Sequence, residues 1–176
     1  MQHTLHNLSD REWELYNITI SLEGTMENKE RQLTENGTFD KYRIIHKDYY
    51  ELCDSSYDAE TALESLKRLI FLNWYSILEP SFLTGMENLN NDTIFKSFAK
   101  LNDYIHNNKL DEEFKWMLSF YSSWDYLILT YSENKLPALT NFIKSINHTL
   151  SHIPAELSEE SMRNRGQMGI YWTSHI

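Results

Sequence analysis

Apolar residues recur at intervals of three and four along most of this chain, the spacing that lines side chains along one face of an α-helix. After "ENG", Tyr42, Ile45, Tyr49 and Leu52 form one stripe ending near Cys53, and Thr38 stands where a cap would start it. A second helix is predicted from Asp58 to Glu79, where Pro80 forbids its continuation; Leu63, Leu66 and Ile70 oppose Glu60, Glu64 and Lys67 in its first half. A third follows "NLNND", with Asp92 as its cap and Ile94, Phe98, Leu101 and Ile105 on one face. The fourth, "DEEFKWMLSFYSSWDYLILTY", opens with acids at the positive end of its dipole and then becomes apolar nearly all round, as a helix enclosed by others does. The fifth opens at Pro137, aligns Leu139, Phe142, Ile146 and Ile153, and stops at Pro154.

The two ends follow weaker patterns. Ser9 and Glu12 have the spacing of a capping box for a helix through Trp13 and Tyr16, although "YNITISL" then alternates in period two as a strand would. Residues 24–37 are polar, a connection or a short exposed helix. A further helix start stands at Ser158 with Glu159 and Glu160, and the Tyr171-Trp172 pair predicts that the tail from residue 155 packs back onto the body. Short links between such helices predict an all-α fold, an antiparallel helical bundle of about five to six helices. It forms a single domain over 1–176, with 1–37 its least determined segment and the second and fourth helices at its centre.

Composition narrows the functional classes. A chain of 176 residues buries enough surface to fold without staples, and 41% hydrophobic with 14% aromatic residues are values of a globular protein. A formal charge of −10, with no basic run longer than Lys67-Arg68, opposes binding to nucleic acid and suits a basic protein partner. No run approaches the roughly 18 apolar residues of a membrane span, and the start "MQHTLHNLSDREWEL" lacks a basic and apolar leader, so no membrane and a cytoplasmic location are predicted. Asn-x-Ser/Thr triplets at Asn7, Asn17, Asn36, Asn91 and Asn147 then carry no glycan. Cys53 is the single cysteine, which rules out an intrachain disulfide.

Candidate chemistry centres on "LIFLNWYSILEP", residues 69–80. Arg68, Asn73, Ser76 and Glu79 lie roughly along one side of that helix, and the fourth helix carries Ser119, Ser122, Ser123 and Asp125. Were the two helices adjacent, Asp125 would meet Arg68 or Asn73 in a buried polar cluster able to bind a small molecule or perform catalysis. Trp74, Trp116, Tyr121 and Trp124 come from the same two helices and form a candidate aromatic interface, for a partner or for a second copy in a homodimer. His148 and His152 have the spacing that turns two imidazoles to one side of a helix, but no third ligand accompanies them. Asp103 and His106 repeat a spacing of di-metal bundles without a second copy. No metal and no cofactor are therefore predicted.

"RNRGQMGIYW", residues 163–172, resembles the final-helix motif of DinB-like four-helix metalloproteins, in which two His precede Arg-Gly-Gln. The matching positions here hold Glu160 and Asn164, so the resemblance covers about ten residues, implies a helical bundle and carries over no metal site and no activity. Without a phosphate loop or a nucleophile elbow, the sequence points to a non-catalytic helical binding protein, such as an acidic immunity-type inhibitor of a basic partner. The alternative is a small-molecule-binding or enzymatic bundle built on the polar cluster.

Overall fold

The computed structural model describes residues 3–146 and 157–174, and what it describes is entirely helical. The helices are α1 (Leu5–Ser21), α2 (Met26–Glu35), α3 (Thr38–Ser55), α4 (Ala59–Leu78), α5 (Ser81–Thr84), α6 (Asn91–His106), α7 (Glu112–Tyr121), α8 (Tyr126–Ser132), α9 (Pro137–Ser145), α10 (Glu159–Met162) and α11 (Gly166–Thr173). A 3-10 turn, Ser122–Trp124, joins α7 to α8. The all-α class is as expected, but the eleven helices among the described residues exceed the predicted five to six. No described helix is long and apolar enough to cross a membrane.

Short side chains start most of these helices. Thr4, Thr25, Asp58, Asn90, Asp111 and Ser158 each accept a hydrogen bond from the backbone N–H three residues on. Such a cap contributes about 1 kcal/mol, which decides where each helix begins. Three expected starts move accordingly. Thr4 replaces Ser9 as the cap of α1, and Asn90 replaces Asp92 at α6. Thr38 is the first helical residue of α3, its N–H bonded to the Asn36 carboxamide oxygen at 3.1 Å.

The predicted fourth helix is broken. At its middle the Ser122 hydroxyl donates to the Ser119 carbonyl at 2.6 Å, a local bond that competes with the helical ladder, and the backbone tightens into the 3-10 turn. The fifth helix ends at Ser145; its expected continuation through Ile153 to Pro154 lies outside the described residues.

Residues 65–74 of α4 are buried on every side, the mark of a central helix. It packs chiefly on α3, and also on α6, α8 and α11. An aromatic cluster fills the space between α4, α7 and α11: Trp74 stacks on Tyr121 at 4.6 Å, Trp116 meets Trp172 at 4.5 Å, and Phe120 meets Trp172 edge-on at 4.9 Å. Each such pair adds about 0.5–1.5 kcal/mol beyond the area it buries. The tail therefore packs back onto the body through Trp172, which is fully buried.

Candidate functional site

Ionic groups form a connected spine, its cations buried and its carboxylates partly exposed, that ends at the turn before α11. Arg165 sits there, buried, and its planar guanidinium grips two carboxylates: Nε donates to Glu64 at 2.8 Å, and Nη1 and Nη2 donate to the two oxygens of Glu113 at 2.8 and 2.9 Å. Lys67 Nζ donates to Asp111 at 2.6 Å and to Glu113 at 2.5 Å. Arg68 donates through Nε to Glu64 at 2.8 Å, and through Nη1 to Ser9 Oγ, the Leu5 carbonyl and the Tyr49 hydroxyl. Three cations thus face three carboxylates. Burial would raise the Glu113 carboxyl, but Arg165 and Lys67 override it and hold the pKa down at about 2.

Glu12 adds a seventh ionisable group without a countercharge of its own. It is 1% exposed on α1, and its Oε2 accepts the Gln167 N–H at 2.8 Å, at the start of α11. Burial pushes its pKa up, against the Tyr49 hydroxyl and the Gln167 N–H, and Oε1 has no well-formed hydrogen bond.

Gly166 is what admits this carboxyl. It has φ +59°, and a Cβ there would lie 2.3 Å from Glu12 Oε2. Gln167 completes the turn, its side-chain amide donating to the Thr84 carbonyl at 2.7 Å and to the Tyr42 hydroxyl. Each member of the Arg-Gly-Gln triplet therefore has a structural partner on another helix.

A second, separate chain of polar groups crosses α3, α4 and α6. Ser97 donates to the Ile94 carbonyl at 2.6 Å, so its oxygen must accept from Asn73 Nδ2, also at 2.6 Å. Asn73 Oδ1 then faces His46 Nε2 at 2.6 Å, which makes Nε2 the protonated nitrogen. Nδ1 is left unprotonated and without a partner, and burial holds the His46 pKa down at about 4 despite the bond to Asn73.

The residues singled out from the sequence are dispersed. Arg68 belongs to the spine and Asn73 to the His46 chain. Ser76 back-bonds to the Asn73 carbonyl at 3.0 Å, and Glu79 caps the end of α4. Asp125 is exposed at the start of α8, where its carbonyl accepts the Ile128 and Leu129 N–H groups, so the predicted meeting of Asp125 with Arg68 or Asn73 does not occur. The exposed side of α8 carries Asp125, while Leu127 and Ile128 turn to the core. Of the aromatic set, Trp74 and Tyr121 are buried, while Trp116 and Trp124 are partly buried against the same cluster. His148 and His152 lie outside the described residues. Glu12, Glu64, Glu113, Arg165 and Gln167 were legible as residues but not as a site, since their partners lie up to 155 positions apart.

Beside the spine, α1 and the α10–α11 segment enclose a cleft of about 630 Å³. Its lip is Trp13, 53% exposed and stacked on Tyr16 at 5.9 Å. Met162 and Ile170 contribute apolar wall, and Asp10, Glu159 and Arg163 bring charge to it. Ser9 fixes one end, donating to the Asn164 carbonyl at 2.5 Å from a residue held at φ +60°.

No known protein family, curated protein or solved structure matches this chain. The class that the fold defines is an all-α protein whose turn before α11 is tied into an ionic spine with buried cations.

Proposed function

We propose that this chain is a non-catalytic binding protein whose docking surface is the cleft between α1 and α11, and that its partner is a basic protein, as in an immunity-type inhibitor acting in the cytoplasm. The observation that carries the reading is the exposed Trp13, stacked on Tyr16 over a cleft lined by Asp10 and Glu159 as well as Arg163 and Arg165, the latter already paired with Glu64 and Glu113. A large aromatic at the edge of a concavity is the usual anchor of a protein interface, and carboxylates beside it suit an Arg or Lys entering over the ring. The chain's charge of −10 would steer such a partner into encounter. The spine supports the same view, because its ionic groups are paired with one another across helices. An antiparallel arrangement of the long helices belongs to the same proposal.

The volume of the cleft also falls within the roughly 300–1,000 Å³ of small-molecule sites, which favours a ligand-binding bundle as the second reading. Affinity capture from native cells at low salt, with wild type and Trp13→Ala in parallel, separates the two. A basic protein held stoichiometrically by wild type, lost from Trp13→Ala and released by salt, is the expected result. The same proteins on both baits would refute it, and a small molecule in the native mass spectrum of wild type alone would move the assignment to the second reading.

A further inference from the structure

Where α3 meets the start of α1, outside the spine, a different combination of groups stands. Asp48 and Glu51 are three residues apart on α3 and so share a side of the helix. His3, just before the cap of α1, folds over them, and the donor atoms of the three all lie within 4.8 Å of one another.

The separation of His3 Nε2 from Asp48 Oδ1 is 3.6 Å. That is too long for a hydrogen bond but close to the distance of about 3.4 Å between two ligands of one tetrahedral ion bound at about 2.1 Å. The other Asp48 oxygen, Oδ2, is held by Arg11 at 2.6 Å. This leaves Oδ1 as a single donor in a fixed direction, the kind of outer contact that orients a metal-binding carboxylate. Glu51 is exposed and drawn only toward Lys47 at 3.2 Å, a surface pair that yields easily. His3 and Glu51 also line an open cavity of about 610 Å³, from which water could supply a further ligand.

We infer that His3, Asp48 and Glu51 form a binding site for a first-row divalent cation of the zinc type. One imidazole with two carboxylates suits such an ion better than magnesium or calcium, which favour oxygen alone. The site is independent of the cleft and of its proposed partner. The sequence did not point to it because His3 and the α3 pair are distant along the chain and share no motif.

The test is calorimetric titration of the full chain with zinc chloride at pH 7.5, repeated on His3→Ala, Asp48→Asn and a His148→Ala/His152→Ala double variant. One-to-one binding is expected, weakened by about tenfold or more in His3→Ala and in Asp48→Asn, and retained in the double variant. His3 precedes the first helix, so His3→Ala keeps the test valid should Asp48→Asn disturb the Arg11 contact and the fold. Cobalt gives a second readout: visible absorption of a tetrahedral complex in wild type and its loss in His3→Ala. Equal zinc affinity in wild type and His3→Ala, binding abolished by the double variant instead, or no saturable binding at millimolar zinc would each overturn the assignment.

Discussion

His46 makes the protein acid-sensitive in a way that can be calculated. Its folded pKa is about 4, because the ring is buried and Nδ1 has no partner to share a second proton, whereas in the unfolded chain the ordinary value is 6.5. The pKa is depressed, so between these values the unfolded state holds more protons than the folded state and stability falls as pH falls. At about 1.4 kcal/mol per pH unit, the loss reaches about 2 kcal/mol by pH 5 and about 3 kcal/mol by pH 4. Other groups titrate in the same range, Glu113 among them, so the contribution has to be isolated by difference. In His46→Gln the side-chain amide can still donate to Asn73 Oδ1 and carries no titrating group. Urea unfolding followed by tryptophan fluorescence at pH 7.5, 6.5, 5.5 and 4.5 would give the stability of both chains. Wild type should exceed His46→Gln at pH 7.5 and lose that advantage, by about 2 kcal/mol, as the pH approaches 5. A difference that stays constant with pH would refute the neutral, buried imidazole.

Gly166→Ala should destabilise the fold by more than about 2 kcal/mol, since it combines a left-handed backbone with a collision against the buried Glu12 carboxyl. Gly37→Ala has a similar φ of +71° with nothing within 4 Å, and should cost only about 1 kcal/mol; equal losses in chemical denaturation would mean that the Glu12 contact is immaterial. Arg165→Met removes one of the two cations at Glu64 and at Glu113, which keep Arg68 and Lys67, and should cost about 1.5–3 kcal/mol in the same measurement. A loss under about 1 kcal/mol would show that Arg68 and Lys67 suffice to hold the two carboxylates. Glu12→Gln tests the opposite sign of linkage. The raised pKa of Glu12 contributes stability below pH 4.5 that is lost as pH rises through the folded value, so the variant should gain on wild type as pH rises above 4.5; a variant that falls further behind with rising pH would count against a raised Glu12 pKa.

Much of the secondary structure could be read locally because its causes are local. Pro80 ends α4 after a half-buried Glu79, Asp58 begins it, and the stripe Tyr42, Ile45, Tyr49 marks the buried face of α3; each depends on residues within one or two turns. The errors came where one side chain had two uses. Ser9 and Glu12 fit a capping box by spacing, yet Thr4 caps α1, which frees Ser9 for Arg68 and Asn164 and Glu12 for Gln167. Ser122 stands among the polar residues of the predicted fourth helix as a candidate for the buried cluster, and its hydroxyl instead bonds the Ser119 carbonyl where α7 gives way to the 3-10 turn.

The helical class and the boundaries at Asp58, Pro80, Asp111 and Pro137 were legible along the chain, because period, caps and prolines act over a few residues. Which polar residues meet was not. Arg165 finds Glu64 a hundred and one positions away and Glu113 fifty-two away, and His3 finds Asp48 across the α1–α3 interface. A buried charge needs a partner but does not specify where along the chain that partner lies, and the packing of helices supplies the missing coordinate.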